Sequence, residues 1–276
     1  MFVAKAVAAA LLTTSFGGLA TATPGTEAAY ADKAKIESMR AGCMKEQGLT
    51  YLPEKVVKRD RAKEERARLA GDHEALRAYR ATYGFGVWSR LVFPGDPAVD
   101  RDLGESRNDK HLMSLSAKDL KAWRAADDKC FAKAVKTVLG KTVTSQDDFL
   151  ADVNAALGKG LRELDTDPKL AALGKEFGGC LKIAETRPTV LADRGRAAFT
   201  KEATGVARAQ SKGSLPKGAV VMPQLTPEQA KPYLDKEVKA ALADLECGKT
   251  FYPAYAPKAR AIEERVYQEF ALDFAL

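Results

Sequence analysis

Four cysteines, spaced as two matching pairs, restrict what this chain can fold into more than any other feature. Gly42-Cys43-Met44-Lys45 returns 137 positions later as Gly179-Cys180-Leu181-Lys182, and each copy is followed by one further cysteine, Cys130 or Cys247. The approaches to those partners also agree. Lys118-Asp119-Leu120-Lys121-Ala122 leads toward Cys130 and Lys236-Glu237-Val238-Lys239-Ala240 toward Cys247, while Asp127 and Asp244 each stand three residues before the thiol. The pattern reads as one helical unit written twice, with a cysteine pair in each copy. No two cysteines are close enough for a C-x-x-C arm and the only histidines are His73 and His111, so neither a zinc site nor any other metal or cofactor is expected.

Residues 1–31 read as a signal peptide: Lys5 supplies the positive end, Ala6 to Leu12 and Phe16 to Ala20 the apolar stretch, and small residues follow. Ala20-Thr21-Ala22 and Ala29-Tyr30-Ala31 both have the small-x-small form, and cleavage after Ala31 is preferred because a helix is expected to begin at Asp32. The segment is short of the roughly 20 predominantly apolar residues of a membrane span. The expected mature protein is therefore secreted, without a transmembrane segment. Export gives the cysteines their meaning, since disulfides persist in oxidising compartments. Four cysteines allow three connectivities. If each copy is self-contained, the bonds are Cys43 to Cys130 and Cys180 to Cys247.

The chain of 276 residues carries a formal net charge of +7, and the removed segment leaves that excess unchanged because Lys5 and Glu27 cancel. From Leu181 to Ala219 there are eight Lys or Arg against three acids, and Lys55 to Arg80 carries nine against five. Such basic faces suit an anionic envelope component or a protein partner. Interleaved acids, however, are the usual mark of solvated helix faces. Nucleic acid is not an expected partner.

Helical periodicity recurs along the mature chain. Asp32 is placed to cap a helix with Ile36, Met39 and Cys43 on one side, and a very charged helix is expected to run to about Ala70. Ser116 with Asp119, and Ser145 with Asp148, mark two further starts; the first leads to Trp123 and Cys130, the second to Phe149, Leu150 and Val153. Asp167-Pro168 opens a stripe through Leu170, Leu173, Phe177, Cys180, Leu181 and Ala184, and its Gly178-Gly179 would let another helix approach. Residues 205–224 are rich in Gly and Pro and read as a linker. Thr226-Pro227 restarts the pattern, with Pro232 kinking the helix or marking a second start, and a last helix is expected from Pro257 through Ile262, Val266, Phe270 and Phe274. The predicted fold is all-α, a disulfide cross-linked bundle of two pseudo-repeated units, 32–140 and 141–276, in one compact domain.

The order Cys43-Met44-Lys45, Gly48, Tyr51, Pro53, then Tyr83-Gly84-Phe85-Gly86, Cys130, Gly179-Cys180 and Ala243-Asp244 with Cys247 resembles a group of uncharacterised secreted or surface proteins of actinobacteria. These carry a C-M-K-x-x-G-F-x-Y-x-P start, a Y-G-F-G or Y-G-Y-G segment and an A-D-x-x-C finish; Leu49 here replaces the usual Phe. The resemblance covers most of the mature chain and implies export and a paired-cysteine helical scaffold. It brings no catalytic residue with it.

No G-x-S-x-G elbow, phosphate-binding glycine loop or H-E-x-x-H is present. Both histidines are expected at the surface. Glu64-Glu65 and Glu263-Glu264 are adjacent pairs, which point about 100° apart on a helix rather than converging on one bond. The suggestive constellation is Tyr83, Phe85 and Trp88 on a glycine-flexed loop, flanked by Arg80 and Arg90. Such a set can stack on a sugar or on a partner's surface; the bland alternative is a loop that folds back and plugs the bundle. The expected function is a non-enzymatic binding or structural module of the cell envelope. The alternatives are a cell-wall enzyme using a carboxylate such as Glu64 or Glu263, and a thiol-active secreted protein.

Overall fold

A computed structural model describes residues 24–56, 61–99, 106–211 and 221–272. Among them lie eleven α-helices and no strand. The long ones are α1 (Pro24–Glu46), α6 (Ala117–Leu139), α7 (Gln146–Glu163), α8 (Pro168–Cys180), α9 (Pro188–Gln210), α10 (Pro227–Cys247) and α11 (Phe251–Glu269). The short ones are α2 (Lys63–Leu69), α3 (His73–Tyr83), α4 (Ser89–Val92) and α5 (Asp109–Ser114), and a 3₁₀ turn at Leu164–Thr166 joins α7 to α8. The all-α class is as predicted, and the disulfides are Cys43–Cys130 and Cys180–Cys247.

Starts marked by side-chain oxygens are found where local chemistry requires them. Ser116 accepts from the Asp119 N–H and Ser145 from that of Asp148. Asp167 accepts from Lys169 and Leu170 ahead of Pro168, and Thr226 with Gln229 forms a reciprocal capping box. Gly140 ends α6 in the left-handed region, φ 70°. Pro232 lies within an unbroken α10, where its missing N–H leaves the Glu228 carbonyl without its partner four residues on.

Four expected boundaries are corrected. Helix α1 begins at Pro24 rather than Asp32, since Ala29 and Tyr30 are buried and extend the helix's packing face toward its start. Its buried side runs through Ile36, Glu37, Arg40 and Met44, with Met39 and Cys43 only half-buried. Gly205 belongs to α9, whose buried residues Leu191, Gly195, Phe199, Ala203 and Ala207 recur every fourth position; of the expected linker, residues 212–220 lie outside the described residues. Helix α11 starts at Phe251 with Pro257 inside it, and Phe274 lies outside the described residues. The α8 stripe stops at Cys180, leaving Cys180 and Ala184 exposed.

Helices α1 and α6 pack in opposite directions, Met44 against Trp123 and Ile36 against Phe131 and Val135. Helix α7 packs on α11 and α8 on α9. Helices α3 and α4 pack on α10, and α3 also on α2, so residues before 140 complete the core of the chain after it. Val87, Trp88, Phe199, Ala203 and Leu234 form one such shared cluster.

Candidate functional site

Each disulfide stands beside a buried arginine–aspartate pair. Beside Cys43–Cys130, Arg40 on α1 grips Asp127 on α6 with two parallel bonds, Nε to Oδ1 and Nη2 to Oδ2, each 2.5 Å. A planar guanidinium fits a carboxylate in this way. Glu37 completes the group, receiving the Tyr51 hydroxyl at 2.7 Å and the Glu54 N–H at 2.8 Å. The Arg40 guanidinium also lies over the Tyr51 ring, 4.6 Å from its centroid. Burial holds the Tyr51 hydroxyl well above the usual phenol range, so it donates. Gln47 seals the disulfide, its Nε2 2.9 Å from the sulfur of Cys130.

The second pair uses the same chemistry from different elements. Arg80 on α3 donates to Asp244 Oδ1 at 2.7 Å and to the Ala241 carbonyl at 3.0 Å on α10. The Tyr252 hydroxyl donates to the same Oδ1 at 2.5 Å, and Arg80 stacks 4.5 Å from the Tyr252 ring centroid. Burial again raises the Tyr252 hydroxyl far above its ordinary value. Two turns earlier on α10, Glu237 is wholly enclosed. Its Oε1 accepts from the N–H groups of Phe85 (2.8 Å) and Val87 (3.0 Å) and its Oε2 from Trp88 (2.8 Å). Burial pushes this carboxyl above its usual range while the three donors pull it back. Gly84 makes the approach feasible: its φ is 62°, and a Cβ there would meet Glu237 Cγ at 2.7 Å.

Of the two readings of this loop, the structure has the one that folds back, and the loop closes around a carboxylate of its own chain. Trp88 is fully buried and stacked 4.3 Å from Tyr233, while Phe85 enters a notch at Gly195, where a Cβ would lie 2.1 Å from its ring. Arg80 is buried and committed to Asp244. Half-buried Tyr83 donates to Asp96 at 2.8 Å, and Arg90 is exposed on α4. Half-buried Tyr79, Tyr83 and Phe93 pack ring against ring at the edge of this region, with Arg68 covering the Tyr79 ring at 4.2 Å.

The other named residues are dispersed. Glu64 is exposed on α2, and Glu263 and Glu264 both engage Arg260. His73 and His111 are half-buried rather than at the surface; His73 sits between Glu74 at 3.0 Å and Glu246 at 3.8 Å. Gly178 receives the return of its own chain, not another helix: a Cβ there would meet the Glu185 carbonyl oxygen at 2.3 Å. Among the described residues no three His, Cys, Asp or Glu side chains are grouped to hold a metal. The pairing of Arg80 and Glu237 with their partners was not legible in the sequence, because 164 and about 150 residues separate them. Comparison of the chain with protein-family models, with curated proteins and with solved structures returns no match.

Proposed function

We propose that this chain is an exported, disulfide-braced helical module that acts by binding an anionic component of the cell envelope, in keeping with the secreted actinobacterial proteins it resembles. One observation carries the reading. The buried ionisable groups at its centre are all engaged within the chain: Arg40 with Asp127, Arg80 with Asp244, and Glu237 with three backbone N–H groups. Groups whose ion pairs and hydrogen bonds are met within the chain brace a scaffold, and what remains for a partner is a surface of net positive charge. Two disulfides and the lack, among the described residues, of a helix apolar enough to cross a membrane accord with an extracytoplasmic setting.

The reading includes removal of the leader after Ala22 rather than Ala31. Cleavage after Ala31 would strip two turns from α1 and delete Ala29 and Tyr30, which are 2% and 7% exposed. The test is intact mass of the exported protein followed by co-sedimentation with isolated cell-wall sacculi. A mature chain starting at Thr23 that pellets with sacculi at low salt and is released at high salt is the expected result. A protein that stays in the supernatant at low salt would overturn the binding role.

A further inference from the structure

Helix α6 carries six basic residues and three acids in sequence, Lys118, Lys121, Arg124, Lys129, Lys133 and Lys136 against Asp119, Asp127 and Asp128. Mixed charge of this kind reads as an ordinary wet face. The structure separates the two signs. At about 100° per residue, Lys118, Lys121, Lys129, Lys133 and Lys136 all fall within about 60° of a single line along the helix. All five are exposed, with Ala122, Ala125 and Ala132 between them. The acids point elsewhere or are occupied: Asp127 is buried on Arg40, Asp119 accepts from Ser116 at the first turn, and half-buried Asp128 receives the Gln146 N–H at the margin. Among the described residues no ion pair involves Lys118, Lys121, Arg124, Lys129 or Lys133, whereas Lys236, Lys258, Lys141 and Lys231 elsewhere on the surface each have a carboxylate. Lys136 bonds only neutral oxygens, of Gly140 and Thr142.

We infer that this face of α6 is the docking surface for a linear, phosphate-bearing polyanion. The inference rests on the binding role proposed above and names its surface and partner class. Three features select a linear polymer. The charges form a row about 27 Å long, from an 18-residue span at 1.5 Å per residue, so one extended chain meets all of them. They are lysines, compact point charges that hold phosphate without demanding a fixed bidentate geometry. Alanine fills the gaps, and the exposed large apolar side chains Leu52, Met113, Leu150 and Val190 all lie off this helix. A helix that settles into a lipid surface presents large apolar residues to insert; α6 presents none on its outer face.

The experiment measures binding of fluorescently labelled long-chain inorganic polyphosphate to the purified full chain across a salt series. It compares the triple variant Lys121→Ala, Lys129→Ala, Lys133→Ala with a control of equal charge change on other helices, Lys169→Ala, Lys175→Ala, Lys239→Ala. Alanine favours the helix, so both variants retain the fold, checked by circular dichroism. The expected result is a loss of about tenfold or more for the α6 variant with a salt slope shallower by about 2, from roughly 0.7 per neutralised phosphate on a single-stranded polyanion. The control changes little. Equal losses in the two variants would mean that net charge alone attracts the polymer and would overturn the inference, as would tighter binding to phosphatidylglycerol vesicles than to polyphosphate. If sacculi retain the α6 variant as well as the unaltered protein, this surface is wrong while the binding role stands; if neither polyphosphate nor sacculi bind the unaltered protein, both fall.

Discussion

Glu237 shows how much of this fold depends on a single buried carboxylate. Its two oxygens accept from the N–H groups of Phe85, Val87 and Trp88, and through them the loop that carries Trp88 into the core is held against α10. Glu237→Ala strands three donors in a closed site, and each unmet buried donor costs about 1–3 kcal/mol. A loss of about 3 kcal/mol or more in urea unfolding is expected. Glu237→Gln keeps one acceptor oxygen but turns an amide N–H₂ toward a donor, so a loss of about 1–3 kcal/mol is expected. An alanine variant within 1 kcal/mol of the unaltered chain would show that the loop is held by its apolar contacts instead. The glycine–aromatic motif was legible as a loop that either meets a partner or folds back to plug the bundle, closing on something. The identity of that something was not: Lys236-Glu237-Val238 reads as a helical surface segment, and only the packing of α3 and α4 on α10 turns Glu237 inward.

At the scale of elements, glycines in α8 separate local preference from tertiary demand. Gly174 and Gly178 lie against the chain returning from the helix, where a Cβ would stand 2.3 Å from the carbonyl oxygens of Thr186 and Glu185, while Gly179 has nothing within 4 Å. Gly178→Ala must push that return off the helix and is expected to cost about 1–3 kcal/mol, the usual range for overpacking. Gly179→Ala meets open space and is expected to stabilise by about 0.5–1 kcal/mol through helix propensity alone. Thermal melts of the two variants shifting in the same direction would refute this division. Helix starts were legible wherever a side-chain oxygen met a periodic apolar run, as at Ser116, Ser145, Asp167 and Thr226. Helix α9 was missed because its core side is built from Gly195, Ala203 and Ala207 as much as from Leu191 and Phe199. Small residues at every fourth position carry little hydrophobic signal, yet they are what admits Phe85. The repeat behaves similarly. Lys118 precedes Cys130 by twelve residues and Lys236 precedes Cys247 by eleven, a slip worth about 100° on a helix. Asp119 accordingly lies in an exposed first turn, where it accepts from the Ser116 hydroxyl, while Glu237 is interior.

Across the whole molecule, the two disulfides tie different parts of the fold and differ in how a reductant can reach them. Cys43–Cys130 joins the end of α1 to the middle of α6; Cys130 is 1% exposed, and Gln47 covers the sulfurs. Cys180–Cys247 joins the ends of α8 and α10, and Cys180 is exposed. Thiol–disulfide exchange requires a thiolate to reach one sulfur while the other departs. Limiting dithiothreitol followed by alkylation and peptide mapping is therefore expected to label Cys180 and Cys247 first, with Cys43–Cys130 still closed. Simultaneous opening, or prior labelling of Cys43, would show that global unfolding rather than local access controls the reaction. The intermediate also tests the thiol-active alternative. Both residues of the exposed bond terminate helices, where negative charge is disfavoured, so the helix ends do not stabilise the departing thiolate and slow exchange is expected. The same disulfide closes a loop of 67 residues, and on a chain-entropy view its loss lowers stability by about 4 kcal/mol. If the half-reduced chain unfolds at lower urea yet retains its affinity for polyphosphate, the outer bond serves the scaffold and the binding surface on α6 is braced separately by Cys43–Cys130. If its opening is fast and reversible and changes binding, the exposed disulfide is itself the working part of the protein.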